Sequence, residues 1–404
     1  MIEIKDKRNC CGCSACVHKC PKQCILLKED SEGFLYPEVE IERCIDCGLC
    51  EKVCPILNQG EARNPLKVYA AKNLDENIRK QSSSGGVFSL FAEKIIREGG
   101  IVFGARYDKN WQVRLDYTES IEGIAAFRGS KYVQARTEDA YRQAENFLKE
   151  GRKVLFTGTP CEIAGLHKFL RKEYDNLLTM DFLCHGVPSP KVWNSYLDEL
   201  LACLGEKNSV SFSSKPLLFS ERKCLIQSIS FRDKKFGWKK FSFVLRHNLT
   251  KATAVGKANT VSFSQYHRVN TYMKGFLEDL YLRPSCHSCR FKRFQSGSDI
   301  TIADYWGISR VKPEFEDFNG VSMAFINSFK AGNYFNSFDM DVIETKFEDT
   351  LSNKGLHENV PMHKKRDYFF KKLNSTASII NLIEKCVKPS FFDKVKNIIK
   401  RFLR

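Results

Sequence analysis

What the chain lacks narrows its class first. It has no charge-free apolar run of the roughly eighteen residues that a bilayer-spanning helix needs. Its opening, MIEIKDKRNC, has neither an apolar core nor a small-residue cleavage site, so no secretory leader is expected and the default compartment is the cytoplasm. No zinc-finger, RRM or other nucleic-acid signature accompanies its 64 lysines and arginines, which are spread along the chain. A nucleic-acid partner is therefore not expected. A hydrophobic content of 43% and 12% aromatics exclude disorder, and 404 residues leave room for two or three domains.

What is present is positive charge and cysteine. A net charge of +16 suits an acidic electron-carrier protein, a phosphorylated substrate or an anionic membrane surface, and equally a solvated basic surface with no single partner. Of seventeen cysteines, ten fall in the first 54 residues. In a reducing compartment such clustering points to metal or catalysis rather than disulfides.

The cysteines repeat. NCCGCSACVHKCP (9–21) is followed by RCIDCGLCEKVCP (43–55), with each matching cysteine displaced by 34 residues. Each run reads Cys-x2-Cys-x2-Cys-x3-Cys-Pro, the bacterial two-cluster ferredoxin spacing, in which three thiolates grip one 4Fe-4S cube and the fourth crosses to the other. One cluster is then held by Cys10, Cys13, Cys16 and Cys54, the other by Cys44, Cys47, Cys50 and Cys20. Zinc is the alternative, because CxxC pairs also build tetrahedral sites, but zinc ribbons use pairs without the third and fourth cysteine. Cys11 and Cys24 fall outside the pattern. The stretch between the runs alternates about a Ser-Glu-Gly turn, as a hairpin does. The module, residues 1–60, is a ferredoxin-like α+β domain, and NQGEARNP (58–65) is a polar linker.

Beyond it the chain alternates strand-like and helix-like pieces, an α/β pattern. The SSSGGVF loop (82–88) opens a helix, where exposed N–H groups suit a phosphate and serine capping is the plainer explanation. KVLFTGTPCEIAGLHKFL (153–170) reads as buried strand, turn and helix, with Cys161 at the turn. Another strand ends in Cys184 and His185, and Cys286-x2-Cys289 precedes a further one. Loops at strand ends concentrate function.

SSGGVF, GSKYVQ, FTGTPCEIAGL, CHGVPSP, CHSC and DITIADYWG, in that order, resemble the beta-subunit family of deazaflavin-dependent hydrogenase and formate dehydrogenase. The same family includes the plant 7-hydroxymethyl chlorophyll a reductase, and the resemblance runs from about residue 1 to 310. It implies an FAD-binding α/β body, 66–150 and 151–330, with its own cluster on Cys161, Cys184, Cys286 and Cys289. It also implies a flavin lying against Ser83, Ser84, Gly85 and Gly86, with Lys131 neutralising its pyrophosphate and Thr157, Gly158 and Thr159 as a second cradle. His185 and Asp304 are the candidate catalytic residues; a satisfied strand-end histidine and a turn-capping aspartate are the plainer alternatives. Ala303 and Glu162 stand where the family commonly has glycine and glutamine. Cys203, Cys224 and Cys386 match no motif and are expected to pack.

Residues 331–404 are expected to form a helical basic extension. In KPSFFDKVKNIIKRFLR (388–404), six cations against one aspartate flank an apolar helical face, fit for peripheral contact with an anionic membrane or for a protein surface. These features lead to an iron–sulfur flavoprotein: an FAD-dependent oxidoreductase fed by a ferredoxin-type carrier and acting on a small-molecule or lipid-linked substrate, with surface-polysaccharide metabolism as one setting. The alternative is a non-catalytic electron relay docking to a separate catalytic protein. Whether the chain forms oligomers is left open.

Overall fold

Two-residue gaps between cysteines leave room only for tight loops, and the repeat builds the same loop twice. The computed structural model describes residues 1–207, 223–248 and 260–388. Short helices Ala15–Lys19 and Leu49–Lys52 each start from a left-handed residue, Ser14 (φ 63°) and Gly48 (φ 67°), which are equivalent in the repeat. Between them β1 (Ile25–Glu29) and β2 (Leu35–Val39) pair antiparallel, Ile25 opposite Val39. Asp30 Oδ1 accepts from the N–H groups of Glu32 and Phe34, which closes the turn.

That turn leaves its own domain. Phe34, fully buried, joins the core around Trp193, Tyr272 and Phe369, a burial that contributes about 1.5–3 kcal/mol. On the other side Ala15, Cys16 and Val53 share a core with Phe103, Phe156 and Leu166. The His18 ring meets Tyr141 and Phe169 edge-on, at 5.4 and 6.1 Å. The ferredoxin-like domain is packed onto the body rather than tethered to it.

The body is built on one mixed sheet of β3 (Lys67–Asn73), β4 (Ile101–Tyr107), β5 (Val113–Thr118), β6 (Val154–Thr157) and β7 (Leu177–Phe182). The order is completed by β11 (Ile300–Asp304), β12 (Ser322–Ile326) and β13 (Met340–Thr345). Across the sheet they run β13-β3-β12-β11-β7-β6-β4-β5. β4, β6, β7 and β11 are mutually parallel, and all other pairs are antiparallel. β6 and β7 are buried along most of their length, as is Ile101–Gly104 of β4, whereas β11 is fully buried only at Ile300 and Thr301. Strands from both sides of residue 150 lie in this one sheet. The extension expected to be helical from 331 supplies its edge strand β13, paired with β3. Helices Arg366–Leu373 and Ile379–Val387 follow.

A second, antiparallel sheet of β8 (Ile226–Asp233), β9 (Ser242–Asn248) and β10 (Thr260–Tyr266) lies in the order β10-β9-β8. Cys386 is buried in the core, whereas Cys203 and Cys224 are exposed, so only the first has the packing role expected of all three. Among the described residues no helix is long and apolar enough to cross a membrane. The basic amphipathic segment lies, from residue 389 on, outside the described residues.

Candidate iron–sulfur and coenzyme sites

Three small cavities are lined by cysteine. The first, about 20 Å³, takes Cys10, Cys11, Cys13, Cys16 and Cys54; the second, also about 20 Å³, takes Cys20, Cys24, Cys44, Cys47 and Cys50. The fourth cysteine of each run therefore faces the other run's cavity. Desolvation and repulsion from Cys10, Cys54 and Cys50 push the Cys16 thiol well above the ordinary range. Thiols crowded at such cost fit a bound cationic cluster, which holds them deprotonated. Backbone N–H groups already point at sulfur, Ile2 to Cys50 at 3.3 Å and Asp46 to Cys44 at 3.4 Å. Among the described residues no group of three His, Cys, Asp or Glu is drawn together for a single metal ion. A set spread around a cavity suits the corners of a cube better than one zinc.

The third cavity, about 50 Å³, is lined by Cys161, Cys184, Cys286 and Cys289. They arrive on three supports. Cys161 is the second residue of helix Pro160–Leu170, Cys184 follows β7, and Cys286 and Cys289 flank the end of the turn Pro284–Ser288. The helix start is fixed by a capping box, Thr159 N–H to Glu162 Oε2 at 2.7 Å and Glu162 N–H to Thr159 Oγ1 at 3.4 Å. Val187 N–H donates to Cys286 Sγ at 3.4 Å, and Phe291 N–H to Cys289 Sγ at 3.4 Å. Burial lifts the Cys286 thiol to about 12. Cys11 lines this cavity as well as the first, and the neighbouring Cys13 thiol and burial push its own thiol well above the ordinary range. The spacing rule passed over it because it is no pattern member.

A far larger cavity, about 1350 Å³, opens at the C-terminal ends of the parallel strands, the side on which open α/β sheets receive ligands. It shares the wall Asp181–Val187 with the third cysteine cavity. His185 and Asp304 both line it. His185 Nε2 lies 2.6 Å from Asp279 Oδ1, and Asp304 is paired with the buried guanidinium of Arg232. Trp306 faces the cavity stacked on Trp238, centroids 4.5 Å apart and 4° from parallel. Asp181 accepts from Ser296 and Thr301 hydroxyls at 2.5 Å each, and burial raises its carboxyl to about 6. Sequence reasoning missed Asp279, Arg232 and Trp238, which carry no local motif.

The loops expected to cradle a pyrophosphate have most of their polar groups engaged inside the protein. Ser83 Oγ binds Ser130, Ser84 Oγ donates to Val321 O at 2.6 Å, and Gly85 N–H donates to Ser322 Oγ at 2.9 Å. Gly85 does not line the cavity; it abuts β3 and β12, where a Cβ would sit 2.3 Å from Ala71 O. Gly86 starts the helix Val87–Arg97 at φ 85° with no side-chain cap, so serine capping is absent too. Lys131 Nζ donates to the carbonyls of Ala126, Arg128 and Gly129. Thr157 Oγ1 donates to Phe103 O, Gly158 N–H to Met180 O, and Thr159 serves the capping box.

Comparison with known proteins decides between the two functional readings. Residues 68–141 match the N-terminal model, and 151–350 the C-terminal model, of the coenzyme F420 hydrogenase/dehydrogenase beta subunit; 9–57 match a 4Fe-4S dicluster domain. The chain belongs to that family. It is 26% identical over 211 residues to a subunit of the F(420)H(2) dehydrogenase of Methanosarcina mazei, covering 48% of this chain and 59% of the relative. It is 29% identical over 178 residues to the coenzyme F420-dependent sulfite reductase of Methanocaldococcus jannaschii, covering 41% and 26%. A ferredoxin of Streptomyces griseus is 36% identical over 92 residues, 22% of this chain and 75% of that one. The chain thus spans less than two thirds of the length of the first two. The dicluster match falls on the two cysteine runs and agrees with 4Fe-4S clusters there.

The expectation of an FAD-dependent oxidoreductase is thereby corrected. The matched family is that of the coenzyme F420 hydrogenase/dehydrogenase beta subunit, and FAD is not indicated by the match. The engaged donors of the 82–86 and 157–159 loops are the physical counterpart: small residues at a helix start gave the same sequence pattern whether or not their donors were free. The polysaccharide setting has no support in the comparisons either.

Proposed function

We propose that this chain is an electron-relay subunit, carrying single electrons between an acidic, ferredoxin-type carrier and a separate catalytic subunit. The observation that supports it is a series. The cavity with exposed Cys47 adjoins the Cys10 cavity within one small domain. Cys11 joins that one to the Cys161 cavity, and the wall Asp181–Val187 joins that in turn to the large cavity. Bound 4Fe-4S clusters supply one-electron transfer. In this reading the twelve cysteines Cys10, Cys13, Cys16, Cys54; Cys20, Cys44, Cys47, Cys50; and Cys161, Cys184, Cys286, Cys289 hold them.

The chain's other residues shape the exit. Asp279 orients His185, which can hold a proton at the cavity wall, while Arg232 keeps Asp304 paired. The stacked Trp306 offers a flat apolar face. The large cavity, which shares a wall with the third cysteine set, is then the face on which the relay meets the redox group of the catalytic subunit. The +16 net charge is carried by the body, since residues 1–60 hold eight Lys and Arg against ten Asp and Glu; it attracts an acidic carrier to the chain as a whole and does not single out the entry end. Anaerobically purified protein should contain iron and acid-labile sulfide for three cubanes, accept electrons from a reduced ferredoxin, and turn over nothing alone. Turnover of a small organic substrate without any partner would sink the relay reading.

A further inference from the structure

The two cysteine runs are near copies, so residue differences at equivalent positions act as an internal control. Gly12 and Asp46 are such a pair, 34 residues apart. Asp46 carries a carboxylate with 82% of its side chain exposed, paired to the N-terminal ammonium. At Gly12 there is no side chain, and a guanidinium from the body stands there instead: a Cβ on Gly12 would lie 2.8 Å from Arg283 Nη1.

Arg283 is 1% exposed. Its Nε donates to Cys10 O at 2.8 Å and its Nη2 approaches Cys10 Sγ at 3.6 Å; Nη2 also donates to Leu35 O at 2.9 Å and Nη1 to Gln134 Oε1 at 3.0 Å. The guanidinium lies over the Tyr36 ring, 4.4 Å from its centroid. It forms no ion pair with any carboxylate among the described residues. The sulfur it approaches is that of Cys10, with Cys11, and Cys286 of the third set, also within reach of its charge.

We propose that Arg283 raises the reduction potential of the cluster held by Cys10, Cys13, Cys16 and Cys54 above that of its twin, so that an electron arriving at the exposed end is drawn inward toward the body. This rests on the relay reading. Reduction adds one negative charge to a cluster, and charge and hydrogen bonds to sulfur set its potential. A buried cation that water does not screen stabilises the added charge; the twin has no such buried cation at the equivalent position, where Asp46 is exposed and already paired with the N-terminal ammonium. Burial by itself acts the other way, and the contact cation is what reverses it. In the step, one electron leaves the Cys20, Cys44, Cys47, Cys50 set and one arrives at the Cys10 set; no bond forms or breaks and no proton moves.

The test is an EPR-monitored redox titration of the whole, cluster-loaded chain. Arg283→Gln should shift one dicluster signal to lower potential, move the Cys161 cluster less because Cys286 also feels the guanidinium, and leave the Cys44 cluster unmoved, while Arg283→Lys, which keeps the charge, should stay near wild type. Potentials unmoved in Arg283→Gln, or moved equally by both variants, would overturn the proposal. Should Arg283→Gln fail to assemble, the wild type decides. Cys10→Ser identifies its cluster by a changed or missing signal, and that cluster must have the higher potential of the pair; the reverse order overturns the proposal. Protein lacking iron for three cubanes would instead undo the relay reading itself.

Discussion

Arg366 lays its two terminal nitrogens on the two carboxylate oxygens of Glu32, at 2.9 and 2.5 Å, across 334 residues of chain. Glu32 sits at the tip of the hairpin in the ferredoxin-like domain, and Arg366 begins a helix near the end of the described chain. The same guanidinium donates to Leu282 O at 3.0 and 3.3 Å, one residue before Arg283. The pair is nearly dry, with 4% and 16% of the two side chains exposed. It therefore fixes how the small domain sits on the body, and with it the spacing between Cys11 and Cys161 on which a relay depends.

Removing one partner should cost more than removing both. Arg366→Leu leaves the Glu32 carboxylate buried without its cation, a loss of about 3 kcal/mol. Arg366→Leu with Glu32→Leu should cost clearly less, because no orphaned charge remains. Denaturant unfolding measures both, and hydrogen exchange across 25–39 should rise in the single variant. Equal losses in the single and double variants would show that the pair is not coupled.

The glycine at position 165 is a second joint. It lies in helix Pro160–Leu170, where alanine is normally better by about 1 kcal/mol. A Cβ there would meet the Tyr141 hydroxyl at 2.7 Å and Cys13 at 2.8 Å (Cβ) and 2.9 Å (Sγ). Neither neighbour is free to yield, since Tyr141 is bonded to Glu162 O at 2.7 Å and Cys13 is a proposed ligand. Overpacking of this kind costs about 1–3 kcal/mol, so the clash outweighs the propensity. Gly165→Ala should lower the unfolding midpoint and the iron content together; a stabilised, fully loaded variant would show that the contact is slack.

What the sequence made legible was local. Ligand spacing within each cysteine run, the hairpin about its Ser-Glu-Gly turn, and the apolar runs of β4, β6, β7 and β11 each need only a dozen neighbouring residues to be read. What it hid depends on distant partners. β13 is an edge strand with alternating, half-polar residues, so nothing in it outweighs the basic, aromatic stretches around it. Arg283 is one of 64 cations, and Cys11 stands beside a ligand without being one in the pattern. Of the expected cradle, Ser83, Ser84, Gly86, Lys131, Thr157, Gly158 and Thr159 line the large cavity, but the partners of Ser84 and Gly85, Val321 and Ser322, show only once the sheet is assembled.

Asp181 should titrate close to neutrality. Its carboxyl is buried between the large cavity and the third cysteine cavity, and burial lifts it from the ordinary 3.8 to about 6. A raised carboxyl means that the folded chain holds a proton the unfolded chain has lost. The stability it contributes is complete below about 3.8 and declines as pH rises through about 6. A carboxylic C=O band in the infrared spectrum should therefore vanish between about pH 5 and 7, and be missing in Asp181→Asn. The variant should also flatten the decline in stability across that window. A band that has already gone by about pH 5 would mean that the Ser296 and Thr301 hydroxyls hold the carboxylate ionised.

Cysteine substitutions separate ligands from neighbours. Cys13→Ala and Cys286→Ala each remove a proposed corner, and each should lose one cubane's iron while the other two remain, because the three sets share no ligand. Cys11→Ala is the informative contrast. Cys11 lines two cavities, one with Cys13 and one with Cys161, so a geometric argument alone makes it as plausible a ligand as any. The two-residue spacing argues otherwise, since Cys10 already occupies the first corner of that loop. Cys11→Ala should therefore keep all its iron and sulfide, yet slow electron passage from the ferredoxin-like domain to the body cluster in rapid-mixing experiments. Loss of a cubane from this variant would make Cys11 a ligand and displace Cys10 or Cys161 from the set.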